Sequence, residues 1–76
     1  MTQLNVRFKA ITDVYDFVAI VTKYSFEVDM CSGRYIVDAK SIMGIFSLDL
    51  LSDIQVKIYS DEADALVKEL DKYLVK

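Results

Sequence analysis

Between Gln3 and Ala10 the apolar residues fall on every second position, whereas from Val14 to Val21 they recur at intervals of three and four. Each spacing gathers a dry face only in its own secondary structure, so this change of period demands a strand followed closely by a helix. The order of such changes along the chain restricts the fold more than any other feature. In the first segment Leu4, Val6, Phe8 and Ala10 share one parity, and Gln3, Asn5, Arg7 and Lys9 take the other. Thr12 and Asp13 then offer a cap and early negative charge for a helix over about Asp13 to Tyr24, with Val14, Phe17, Val18 and Val21 facing inward.

Period two returns in SFEVDMC, where Phe26, Val28 and Met30 face in, and Ser32-Gly33 marks a turn into RYIVDA. In that second arm Tyr35, Val37 and Ala39 are expected in the core and Ile36 outside it or partly covered. Ser41 opens a short helix, and DIQVKIY forms a last strand with Ile54, Val56 and Ile58 in phase. From Ser60 a serine cap, early acids and the row Ala63, Leu66, Val67, Leu70 and Leu74 predict a final helix. The order is β-α-β-β-α-β-α, an α+β arrangement of three helices on one face of a single sheet, the other face polar and wet. With no proline and no linker, residues 1–76 read as one domain.

A domain of this size buries only roughly 60% of its unfolded surface. The 54% hydrophobic composition meets that demand without disulfides, since Cys31 is alone. A reducing cytoplasm is the expected location, and no apolar run approaches the roughly 20 residues that span a bilayer. Nine basic against twelve acidic residues, a net charge of −3, argue against nucleic acid or an anionic membrane as partner. With no histidine and one cysteine, no metal or other cofactor is expected.

In VDAKSIMGIFSLDL the apolar residues are too many for one side of a two-turn helix, which buries a stripe only about 100° wide or somewhat more. If Ile45, Leu48 and Leu50 point inward, then Ile42, Met43 and Phe46 face outward as an apolar patch. Methionine suits such a surface because it adapts to differently shaped partners. Ser41 reads first as a helix cap, and also as a phosphorylation point that would add about −2 charge beside that patch.

The order of elements, together with Lys40-Ser41-Ile42-Met43-Gly44 followed by Ser47-Leu48, resembles the HPr family, the small phosphocarriers of the bacterial sugar phosphotransferase system. The likeness runs from about Ser25 to the C-terminus and weakly includes the first strand. It implies an open-faced β-sandwich with strands ordered 1-4-2-3. It also implies that Ser41 matches a regulatory serine phosphorylated by HPr kinase. Lys40, Ile42, Met43 and Phe46 lie in the part that matches the family's docking surface for enzyme I, sugar-specific domains and a catabolite-control regulator.

One departure bears on function. The family carries its phosphoryl group on a histidine within Gly-x-His-x-Arg-Pro, and the equivalent KAITDVYDF has no histidine, arginine, proline or glycine. A reversible relay needs a nucleophile such as imidazole, neutral near pH 7 and a good leaving group, and no side chain of this segment replaces it. The expected role is therefore a non-enzymatic regulatory and protein-binding module. Its alternatives are a phosphocarrier with an unrecognised acceptor and an oligomerisation module, and the chain is a monomer or a homodimer. A further departure is Asp49, where the family usually closes the short helix with glycine; aspartate tolerates the left-handed conformation better than most residues.

Overall fold

The computed structural model describes residues 1–75. Strand β1 (Thr2–Val6) ends before the alternation does. Beyond Val6 the chain leaves the sheet, with the Arg7 N–H donating to the Tyr73 carbonyl (2.9 Å). Phe8 is nevertheless buried, its ring edge-on to Phe17 and Tyr73 with centroids 5.4 and 5.7 Å away. Ala10, expected to face the core, is exposed and serves as the N-cap of α1 (Ile11–Val21). The helix starts there because the Asp13 carboxylate accepts the N–H groups of Lys9 (2.9 Å) and Ala10 (3.3 Å), which otherwise lack partners. Val14, Phe17, Val18 and Val21 are buried along its inner face, and the helix stops at Val21, short of Tyr24.

Strands β2 (Val28–Ser32) and β3 (Tyr35–Asp38) form a hairpin around Gly33, whose φ of +58° suits the first central position of a two-residue turn. Val28, Met30 and Ala39 are buried as the alternation requires. Tyr35 is not: it pairs with Ser32 at the turn end of the hairpin, beyond the cover of the helices, and is 69% exposed. Helix α2 (Ile42–Phe46) follows, and then β4 (Ile54–Ile58), which buries Ile54, Val56 and Ile58 completely.

The sheet is antiparallel throughout, in the order β1-β4-β2-β3. Across its inner face Leu4, Val56, Met30 and Val37 lie in register. One residue along, Asn5, Gln55, Cys31 and Ile36 form the corresponding row on the open face. The fold is thus the HPr-type open-faced sandwich, with three helices on one side of four strands.

The last helix is shorter than its pattern. The Ser60 hydroxyl accepts the Glu62 N–H (3.0 Å) within a local turn, and α3 (Asp64–Glu69) starts only after Ala63. A 3₁₀ turn over Asp71–Tyr73 follows. Leu74 is extended and bridges to Val6, while the Val75 N–H donates to the Asn5 carbonyl (2.9 Å). The chain gives up further helix to occupy the outer edge of β1, pairing backbone groups that would otherwise lie open. No helix of the described residues is long and apolar enough to cross a membrane.

Candidate functional site

Helix α2 is built around its cap. The Ser41 hydroxyl accepts the Gly44 N–H at 3.1 Å, and the Ser41 carbonyl receives the Ile45 N–H at 3.0 Å. Ser41 is half-buried. Gly44 leaves the room this needs, because a Cβ there would stand 3.2 Å from both the Ser41 Oγ and the Val37 Cβ. The helix lays Ile45 into the core together with Leu48 just beyond it, while Leu50 is half-buried. Met43, on the opposite side, is 81% exposed. Ile42 and Phe46 are half-buried and pack against the core margin instead of standing free.

Asp49 has no positive φ. Its carboxylate accepts the Leu51 N–H (3.1 Å) and the Ser52 hydroxyl (2.8 Å), so the turn after α2 is held by side-chain hydrogen bonds and not by a left-handed residue.

Phe46 meets Tyr15 of α1 edge-on, linking the two helices at the surface. At the start of α1 a cleft of about 170 Å³ opens between the helix and the segment after α2. Phe8, Lys9, Ala10, Ile11, Val14, Leu50 and Leu51 line it. Ile11 and Leu51 project from its rim, Leu51 with 92% of its surface exposed. Apolar periodicity singles out neither these two nor Tyr15: Ile11 and Tyr15 flank the buried stripe of α1, and the apolar pair Leu50-Leu51 carries no local sign of which member is covered. Apart from Lys9, the entrance to α1 therefore offers only apolar side chains. The N–H groups preceding the helix are already bound to the Asp13 carboxylate.

Lys40 is tied down. Its ammonium donates to the Tyr24 carbonyl at 2.6 Å, near the C-terminal end of α1, and its N–H donates to the Asp38 carboxylate at 2.8 Å. Nearby, the Tyr24 hydroxyl and the Lys23 ammonium both donate to the Glu69 carboxylate. The Lys23 and Tyr24 hydrogen bonds hold the Glu69 carboxyl below the usual carboxylate range, and the bond to Glu69 pushes the Tyr24 phenol up. Among the described residues no cluster of three or more histidine, cysteine, aspartate or glutamate side chains could hold a metal ion.

A family model described as "PTS HPr component phosphorylation site" matches residues 14–75. The chain belongs to the PTS HPr family. The matched stretch of this HPr-family protein contains α2 and its cap, and it begins at Val14, within the segment Lys9 to Phe17 that stands where the family has its histidine pattern. Two solved structures share the HPr fold. HPr-C-His from Thermoanaerobacter tengcongensis superposes with a TM-score of 0.80 at 24% identity, covering 95% of this chain and 89% of that one. The phosphocarrier protein HPr from Bacillus anthracis gives a TM-score of 0.77 at 23% identity over 97% and 96% of the two chains. No curated protein sequence matches the chain.

Proposed function

We propose that this protein is an HPr-family binding and regulatory module that does not carry phosphate on a histidine. The observation that carries the reading is the entrance to α1. It holds Ala10 and an apolar cleft, in a chain with no histidine at all. Docking runs through Met43 with the flanking faces of Ile42 and Phe46, and Lys40 beside them. Burying an exposed methionine against a partner contributes about 1.5–3 kcal/mol, enough for one anchor of a transient complex. The partners are proteins of the phosphotransferase system, enzyme I or sugar-specific domains, or a catabolite-control regulator, in the cytoplasm.

Ser41 is the control point. An HPr kinase with ATP would join the Ser41 oxygen to the γ-phosphoryl group, releasing ADP and the hydroxyl proton. The resulting phosphate adds about −2 charge next to Met43 and retains an acceptor for the Gly44 N–H, so α2 keeps its cap while the docking surface changes sign. Incubation with HPr kinase and ATP, read by intact-mass spectrometry, is expected to give one phosphoryl adduct on the wild type and none on Ser41→Ala. No adduct on the wild type removes the switch. Labelled phosphoenolpyruvate with enzyme I tests the carrier alternative, and acid-labile label on this chain would overturn the whole proposal.

A further inference from the structure

The two edges of the sheet are not alike. The outer edge of β1 is occupied by Leu74 and Val75, but no strand or tail pairs with the outer side of β3 among the described residues. Strand β3 carries no proline and no lysine, and its register with β2 runs unbroken from Tyr35 to Asp38, so no bulge bends it away. From this edge we infer that two copies of the protein pair through antiparallel β3 strands, related by a two-fold axis at Ile36.

Which backbone groups face outward sets the register. Ala39 donates its N–H to the Val28 carbonyl, and residues along an antiparallel strand alternate in the side to which they bond. Tyr35, Val37 and Ala39 therefore address β2, and the N–H and C=O of Ile36 point away from it. The Asp38 carbonyl is already taken by the Ser41 N–H. Outward groups of Ile36 meet their own copies when residue 36 sits opposite residue 36, which is a symmetric, self-complementary arrangement.

That register also matches charge. Arg34 and Asp38 lie two positions either side of Ile36, and an antiparallel copy sets Arg34 of each chain opposite Asp38 of the other. Arg34 has no ion-pair partner within the described residues, and Asp38 uses one carboxylate oxygen on the Lys40 N–H, leaving the other available. Between the two ion pairs the Ile36 side chains, each 65% exposed, meet on the open face. Flanking charges that would repel most strands attract this one to itself. A contact four residues long is small, so the dimer is weak and concentration-dependent.

Sedimentation velocity of the full chain across a wide concentration range tests this. The wild type is expected to pass from monomer toward dimer, with the midpoint moving to higher concentration as salt is raised. Arg34→Asp and Asp38→Arg are each expected to weaken association at least tenfold, and the double reversal to recover most of it. Since Asp38→Arg also removes a turn hydrogen bond, Ile36→Lys provides a second variant, placing like charges across the axis without touching that turn. Met43→Asp, on α2 and so on the helix-covered face of the sheet and not on the open face with Ile36, should leave the dimer unchanged. A wild type that stays monomeric at millimolar concentration, a dimer indifferent to Ile36→Lys and to both single reversals, or one abolished by Met43→Asp would overturn the inference.

Discussion

The ring of Tyr15 meets that of Phe46 edge-on, their centroids 5.9 Å apart and their planes at 64°. This contact joins α1 to α2 at the surface, and it holds Phe46 half-buried where the sequence pattern had it facing outward. Edge-to-face pairs contribute about 0.5–1.5 kcal/mol beyond the area they bury. In urea denaturation, Phe46→Ala is expected to cost about 1–3 kcal/mol and Tyr15→Ala about 1 kcal/mol. The double variant should fall short of their sum by about 0.5–1 kcal/mol. Additivity would mean that the rings touch without supporting one another.

Glu69 links acid stability to the contact between α3 and the turn that follows α1. Its carboxyl is held low by Lys23 and then by Tyr24, so the folded state binds that proton more weakly than the unfolded chain. The resulting stabilisation is complete above the usual carboxylate range and is lost as pH falls through the lowered folded value. Wild type and Glu69→Gln should differ most near neutral pH and converge on acidification, as read from urea midpoints at a series of pH values. The Tyr24 phenol, raised by the same bond, acts at the opposite limit: its contribution holds below its ordinary pKa and disappears as pH rises through the higher folded value.

Gly44→Ala sets helix propensity against space. Alanine in a helix gains about 1 kcal/mol over glycine. Here its Cβ would meet the Ser41 hydroxyl and Val37 at 3.2 Å, and Val37 presents its own Cβ, which cannot yield without moving β3. The net effect is expected to be destabilisation by about 0.5–1.5 kcal/mol, together with a displaced Ser41 cap. Thermal unfolding measures the first. Slower phosphorylation of Ser41 in Gly44→Ala than in the wild type would report the second.

Met43 and Ile45 are two residues apart and separate folding from docking. Ile45 is fully buried, so Ile45→Ala is expected to cost about 2–5 kcal/mol. Met43→Asp, on an open surface, should stay within about 0.5 kcal/mol of the wild type while losing partner affinity. Equal losses of stability in the two variants would show that Met43 supports the core.

The apolar spacing named the inner faces of α1, β2 and β4 before any contact was known, because the period of a segment is a local property. The Ser41 cap was equally legible, since a serine ahead of a short apolar helix needs only the N–H three residues on. The lack of a phosphate-accepting imidazole also follows from the residues alone, as no packing can supply a side chain that the chain does not contain. Tyr35 keeps the right parity and is still exposed, because burial requires something to lie over it and the helices do not cover the turn end of the hairpin, whereas Ala10 is exposed because the chain has left the sheet after Val6 and there caps α1. Tertiary structure alone decided that Phe46 leans on Tyr15, that Ile11 and Leu51 rim a cleft, and that Leu74 and Val75 leave the helical pattern for the edge of β1. Each outcome depends on residues far apart in sequence competing for the same neighbours, and a periodicity records which side of an element is dry without recording what covers it.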